Sequence, residues 1–268
     1  MELFDTHFHF YGEVCPAEYV QTVETELARI SGDPALRMGY AAMGGDFMES
    51  ERAAIFAGAV PNAVFACGVH PHSAEAFLQE KPDFSCFRGH PKLAAVGELG
   101  LDYYYDTSPR EQQKQVLEYF LALAAQWELP VVIHIRDQED CDGAYLDAYE
   151  RLKDFAAAGG KMVIHCFSGT PEWAERFLSL GAYLGVTGMV TFRKGDNIRT
   201  LAQLIPADRL LLETDSPYLA PVPMRGNPNH PGWLWFVAKA VAECRGVTVN
   251  EILELTSQNA RSFYSKGF

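Results

Sequence analysis

The residues able to do chemistry stand at the ends of short apolar runs. Asp5-Thr6-His7-Phe8-His9 closes the first run, and the two-residue period of a strand predicts Asp5, His7 and His9 on one side. Two imidazoles at i and i+2 on a strand can chelate one cation, although core histidines are often just satisfied polar groups. Val96-Gly97-Glu98-Leu99-Gly100-Leu101-Asp102 puts a carboxylate at the end of another apolar run, a costly place unless it is paired or binds metal. His134 follows Val132-Ile133, His165 follows Val163-Ile164, and Glu213-Thr214-Asp215 follows Leu210-Leu211-Leu212. Taken singly, each reads as a hydrogen-bonded core group. Taken together, His7, His9, Glu98, His134, His165 and Asp215 supply four imidazoles and two carboxylates. That is the donor set two divalent cations demand, with Glu98 able to bridge them. Burying six such groups without a cation would cost too much.

Positioning these residues requires eight strands. β-rich runs fall at Leu3–His9, Arg37–Met43, Val64–His72, Leu93–Leu99, Val131–Ile135, Met162–Cys166, Ala182–Gly188 and Leu210–Asp215. Their last residues are 22 to 36 residues apart, room for one crossover helix each. Continuous apolar runs such as Val131-Val132-Ile133 suit parallel strands buried on both faces. Between them, Ser108-Pro109-Arg110-Glu111 reads as a capping box with proline at the first helical position. Val116, Phe120, Leu123, Ala124 and Trp127 follow it at helical spacing. Thr170-Pro171 and His230-Pro231 open two further helices, Trp173–Leu180 and Gly232–Cys244, and a last one covers about Asn250–Tyr264. The pattern predicts an α/β fold, a TIM (β/α)8 barrel forming a single domain over residues 1–268, with the metal site at the C-terminal ends of its strands. A doubly wound open sheet is the alternative, but no G-x-G-x-x-G follows the first strand.

Charge and composition narrow the partners. Twenty-two basic against thirty-five acidic residues give −13, which disfavours coating duplex DNA through many phosphate contacts. Gripping a few phosphates through metal stays open, since two divalent cations change the sum to −13 + 4 = −9. With 48% hydrophobic and 21% charged residues, the chain is not of a disordered class. No apolar run approaches the roughly 18 residues of a membrane span, and no basic region precedes an apolar stretch at the N-terminus. The six cysteines form no C-x-x-C pair, so reduced thiols and a cytoplasmic location are expected. Neither a membrane nor an obligate protein partner is expected.

The order H-x-H, Glu, His, His, Asp resembles the amidohydrolase-like metallohydrolases, with Glu98 where some relatives carry a carboxylated lysine. The finer motifs resemble the TatD family of metal-dependent deoxyribonucleases. They are Asp5–His9, Gly68-Val69-His70-Pro71-His72, Gly97–Asp102, His134-Ile135-Arg136-Asp137, His165-Cys166-Phe167-Ser168-Gly169 and Glu213–Leu219. Ala220-Pro221, Arg225-Gly226 and Asn259-Ala260-Arg261 complete a match over residues 5–264. The chain departs at Asn229-His230-Pro231, where the family commonly has Asn-Glu-Pro, and in the stretches Arg29–Glu51 and Asp137–Tyr149.

The resemblance implies a divalent-metal-dependent phosphodiester hydrolase, exonucleolytic on DNA, with single-stranded ends favoured by the acidic balance. His7, His9 and Asp215 would hold one ion and His134 and His165 the other, with Glu98 bridging. Asp215 and Glu98 are the catalytic candidates, Asp215 taking or orienting the proton of the attacking water. Magnesium, manganese or zinc could serve, and iron also suits such donors. His70, Arg136 and Arg225 are candidates to contact substrate, with Arg193, Lys194 and His72 near the same mouth. Asp5 and Asp102 would stand behind the ligands, Asp102 orienting a histidine. For Tyr103-Tyr104-Tyr105, packing ranks ahead of stacking on an unpaired base. Two alternatives stay open: a D-aminoacyl-tRNA deacylase or other metal-dependent ester hydrolase, and a metal-free barrel that only binds.

Overall fold

The structure is a computed structural model that describes residues 1–266. Its strands are β1 (Glu2–Phe8), β2 (Arg37–Ala42), β3 (Ala63–Cys67), β4 (Leu93–Asp102), β5 (Val131–Arg136), β6 (Met162–Ile164), β7 (Tyr183–Val186) and β8 (Leu210–Leu212). Between successive strands run α1 (Pro16–Ser31), α2 (Phe47–Ala59), α3 (Ala74–Glu80), α4 (Arg110–Trp127), α5 (Gly143–Ala157), α6 (Pro171–Ser179) and α7 (Asp196–Leu204). After β8 come α8 (Leu234–Arg245) and α9 (Val249–Phe263). The strands pair in sequence order, every pair parallel. A parallel bridge between Phe8 and Ser216 closes the ring, where Asp215 N donates to His7 O and His9 N donates to Ser216 O, both at 2.9 Å. The expected barrel is present. No helix of the described residues is long and apolar enough to cross a membrane.

The barrel interior is filled by Phe4, Ala41, Val64, Val132, Val163 and Leu211, and its floor by Ala260, Phe263 and Tyr264 of the α9 segment. Tyr264 reaches far enough that its hydroxyl donates to Thr6 O at 2.7 Å. Outward-facing strand residues such as Leu3, Phe8, Phe65 and Leu99 meet the helices in a second, larger core. Each such large apolar side chain stabilises the fold by roughly 1.5–3 kcal/mol when fully buried.

Regular pairing stops earlier at the working face than the sequence pattern predicts. β3, β6 and β8 end at Cys67, Ile164 and Leu212, ahead of His70, His165 and Asp215. Single ladder bonds continue past those ends, from His165 N to Ile133 O at 2.9 Å and from Glu213 N to Val186 O at 3.1 Å. β4 runs further than predicted, to Asp102. Two bulges matter more. β1 carries one extra residue relative to β2 between Asp5 and Phe8, and β4 one extra relative to β5 between Val96 and Leu99. The first breaks the two-residue alternation, so Asp5 does not share a side with His7 and His9. Instead it accepts from Thr214 N at 3.0 Å, from the Thr214 hydroxyl and from His7 N at 3.2 Å.

Helix starts follow the local chemistry with one correction. Thr170 caps α6 by accepting from Trp173 N, and Thr248 with Glu251 forms a capping box on α9. Ser108 does not cap α4: Pro109 occupies the cap position and α4 begins at Arg110. The Ser108 hydroxyl donates to His72 O at 2.9 Å and accepts from Glu75 N at 3.2 Å, tying the β3 loop to the β4 loop.

Two outcomes follow. Gly100 has φ +149, and a Cβ there would lie 1.8 Å from His134 O. Gly100→Ala should therefore force β4 from β5 and lower stability by about 3 kcal/mol in urea denaturation. His230 accepts from Gly232 N through Nδ1, and burial lowers its pKa to about 4. The unfolded chain then binds more protons between about pH 4 and 6.5, so this contribution is complete above that window and is lost as pH falls through it. A His230→Gln protein should show a shallower loss of thermal midpoint across the same window.

Candidate metal centre

Glu98 sits on the β4 bulge, almost wholly buried, with its backbone N–H donating to Gly44 O at 2.7 Å. Its two carboxylate oxygens face different residues. Oε1 lies 2.6 Å from His165 Nε2, 3.0 Å from His134 Nδ1 and 3.6 Å from His70 Nε2. Oε2 lies 3.4 Å from His7 Nε2 and 3.6 Å from His9 Nε2. Asp215 Oδ1 completes the second group, 3.6 Å from His9 Nε2 and 3.8 Å from His7 Nε2. Seven residues thus converge: the six from five strand ends that the sequence pattern singles out for metal, and His70 from the loop after β3.

Whether this cluster suits cations is decided by its unpaired atoms. His7 is fully buried, yet neither ring nitrogen has a hydrogen-bond partner among the described residues. His9 Nδ1 and His165 Nδ1 are buried and unpartnered by the same measure. Such atoms are rare unless something absent from the chain satisfies them. His7, His9 and Glu98 offer ligand atoms within 4.8 Å of one another, and so do His70, Glu98 and His134. Mixed imidazole and carboxylate donors fit zinc, manganese or iron. The residues fit divalent metal.

Protonation divides the rings: burial works against charge on His134 and His165, yet Asp102 and Glu98 raise the first, and Glu98 and Glu213 the second. Burial favours the neutral form of Glu98, but the histidines around it, His165 foremost, hold it well below the usual carboxylate range. Asp215 is also lowered: burial opposes its charge, and His9 and the neighbouring rings outweigh burial. Burial lowers His7 and His70, leaving neutral rings able to donate lone pairs. Burial works against charge on His9 too, but Asp215 and Glu49 push it up to about 10, so a cation must displace a proton there.

Around this cluster stand residues that aim its rings. Asp102 Oδ2 takes His134 Nε2 at 3.2 Å and His72 Nε2 at 2.9 Å, and its Oδ1 accepts from the backbone of Tyr104 and Tyr105. That is the histidine-orienting contact expected of it. Asp5 acts one step further back, through the His7 backbone and Thr214. Two carboxylates were not singled out from sequence. Glu213 lies 3.5 Å from His165 Nδ1, accepts from Cys166 N and from the Thr6 hydroxyl, and forms a third group with His7 and His165. Glu49 accepts from Gly45 N at 3.0 Å and lies 3.8 Å from His9 Nδ1. Glu213 adjoins Asp215 in the Glu-Thr-Asp motif, a signal that could have found it. Glu49 lies on α2 with no motif to mark it. Cys166 and Asp215 have φ +47 and +54, a left-handed conformation that costs a non-glycine residue on the order of 1–3 kcal/mol. Both occur where the chain leaves the barrel rim.

The cluster opens into a cavity of about 830 Å³. Of the predicted substrate contacts, His70 and Arg136 line it. His70 also stands inside the ligand cluster, facing Glu98. Arg225 does not line the cavity; its guanidinium lies 3.9 Å from the Phe192 ring centre. Arg193 and Lys194 are exposed beyond the lining. Packing holds for Tyr103 alone, since Tyr104 and Tyr105 are largely exposed.

The sequence profile described as TatD-related DNase matches residues 4–265. The uncharacterised metal-dependent hydrolase YabD of Bacillus subtilis is 34% identical over 265 residues, 98% of each chain. The 3′-5′ ssDNA/RNA exonuclease TatD of Pantoea vagans is 39% identical over 228 residues, covering 82% of this chain and 85% of its own. Among solved structures, the TatD homologue YjjV of Escherichia coli superposes with a TM-score of 0.80 at 26% identity, covering 98% of each chain.

Removing metal from the purified protein with a chelator and restoring manganese or zinc should raise the thermal midpoint by about 5 °C or more. The uptake should release protons to a dye indicator and weaken as pH falls. Glu98→Gln, which removes the shared charge, should lose most of the gain.

Proposed function

Because the chain belongs to the TatD-related DNase family and is a metal-dependent hydrolase, we propose that it hydrolyses phosphodiesters, removing nucleotides from the 3′ ends of single strands. The observation that carries this reading is Glu98, whose two oxygens face two separate donor groups. His7, His9 and Asp215 would hold one cation and His134 and His165 the other, with Glu98 shared. Bound there, divalent cations supply positive charge to the phosphoryl oxygens and make water acidic enough to attack near neutral pH.

The chain's own residues do the rest. Asp215 turns Oδ1 to His7 and His9, and Oδ2 is left to take the proton of the attacking water. Asp102 keeps the His134 ring from rotating, so that Nδ1 stays aimed at Glu98. His70, which faces Glu98 in the cavity wall, contacts the reacting phosphate, and Arg136 in the same wall contacts the strand beyond it. Arg225, away from that wall, would touch the strand further from the reacting bond. Single strands are favoured because Arg136 is the one Arg or Lys in the cavity lining among the described residues, far short of the basic surface duplex binding uses. The substrate is DNA or RNA, as with the Pantoea relative. A cytoplasmic setting belongs to the same proposal, supported by six free cysteines.

The test is hydrolysis of single-stranded DNA and RNA labelled at either end, with magnesium, manganese or zinc. Stepwise loss from the 3′ end is expected, with Asp215→Asn lowering kcat about 1,000-fold while remaining folded by circular dichroism. Failure on every strand with every metal, beside hydrolysis of D-aminoacyl-tRNA, would move the assignment to ester cleavage.

A further inference from the structure

The run Asp102-Tyr103-Tyr104-Tyr105 divides its tyrosines between two tasks. Tyr103 is buried, its hydroxyl donating to Asp147 at 2.6 Å. Tyr104 and Tyr105 turn outward, 48% and 57% exposed. Asp102 Oδ1 accepts both of their backbone N–H groups, at 3.0 and 2.9 Å, which folds the chain into a turn at the strand end. The same carboxylate holds His134, so the turn is fastened to the metal centre. The two rings meet edge to face with centroids 4.9 Å apart. Arg136 lays its guanidinium 4.2 Å from one ring centre and 4.8 Å from the other.

Beyond this group, the Tyr105 ring meets His72 edge to face, with centroids 5.4 Å apart. Among the described residues the Arg136 guanidinium makes no hydrogen bond and no ion pair. Tyr105 and Arg136 line the cavity that holds Glu98. In a ring ordered β1 to β8, the β4–β5 edge stands across from the β8–β1 edge. On that far edge Tyr11 and Tyr218 join hydroxyls at 3.1 Å beside His9, with no Arg or Lys in the lining there. The cleft is therefore aromatic on both flanks and cationic on one.

We propose that Tyr104, Tyr105 and Arg136 form the subsite for the second nucleotide of an unpaired strand. This deepens, and rests on, the phosphodiesterase reading. Its base stacks on the tyrosines, and Arg136 takes the phosphate that joins it to the rest of the strand. Direction follows from charge. The terminal nucleotide shares only the scissile phosphodiester, which belongs at the metal centre. A further internucleotide phosphate exists only where the strand continues, and the unpaired cation stands on one flank. Every base has a π-face, so the subsite grips a strand without reading its sequence.

The experiment uses the manganese-loaded enzyme and single-stranded DNA carrying one abasic residue, at the terminal or the second position. Loss of the second base should raise KM about tenfold with kcat retained, and loss of the terminal base should do less. Tyr105→Leu should abolish the discrimination between intact and second-position abasic strands, and Tyr105→Phe, which keeps the ring, should restore it. Equal KM values for intact and abasic strands in the wild type, or discrimination surviving in Tyr105→Leu, would overturn the subsite while leaving the phosphodiesterase reading in place. Cleavage of no strand, together with no hydrolysis of bis(4-nitrophenyl) phosphate, would overturn both.

Discussion

Five of the eight histidines lie within 3.6 Å of a single carboxylate, and much else in this molecule answers to that fact. Imidazoles crowded at such distances repel one another if protonated and leave buried lone pairs unsatisfied if neutral. Neither state is comfortable without an external positive centre to share. Glu98 alone cannot satisfy every ring. Both ring nitrogens of His7, and Nδ1 of His9 and of His165, are left without a hydrogen bond. Divalent cations resolve both problems, since they want neutral rings and ionised carboxylates together. A core that is uneasy without metal is the physical basis of metal dependence here.

The barrel meets this demand by departing from regularity at two places. An ideal strand alternates its side chains, and an ideal parallel ladder spaces them evenly. Extra residues in β1 and β4 break that rhythm beside His7 and at Glu98. On the other side, β6 and β8 end early and pass their last polar residues into single ladder bonds and left-handed turns. Regular structure supplies the frame, and irregular structure aims the donors. Asp102 then holds the His134 ring from behind, and Glu213 and Glu49 stand behind His165 and His9, each of the three also accepting a backbone N–H.

These details explain what could be read in the residues alone. The barrel was legible because parallel strands leave continuous apolar runs and their crossovers have a narrow range of lengths. The convergence of His7, His9, Glu98, His134, His165 and Asp215 was legible because polar residues at the ends of such runs have no inexpensive alternative. Asp5 was misaimed because a bulge leaves no mark in a five-residue motif. Choosing between Glu213 and Asp215 needs the backbone path beyond Leu212, where alternation no longer applies. Ser108 has the residue type of a cap, yet it is taken up by partners more than thirty positions upstream. Glu49 and the outward turn of Tyr104 and Tyr105 depend on contacts between elements, which spacing along the chain does not encode.

The bond between Tyr264 and Thr6 spans 258 positions, and it joins the floor of the barrel to the strand that carries His7. A ribosome makes β1 early and the α9 segment only after the other seven strands. Until then Phe4 has no floor beneath it, and Asp5 has no Thr214 to receive. A nascent chain therefore cannot bury its first histidines in their working arrangement, because their partners do not yet exist. For a metal-dependent hydrolase, this order of events keeps the hydrolytic centre unassembled until β8 and the α9 segment have both been made.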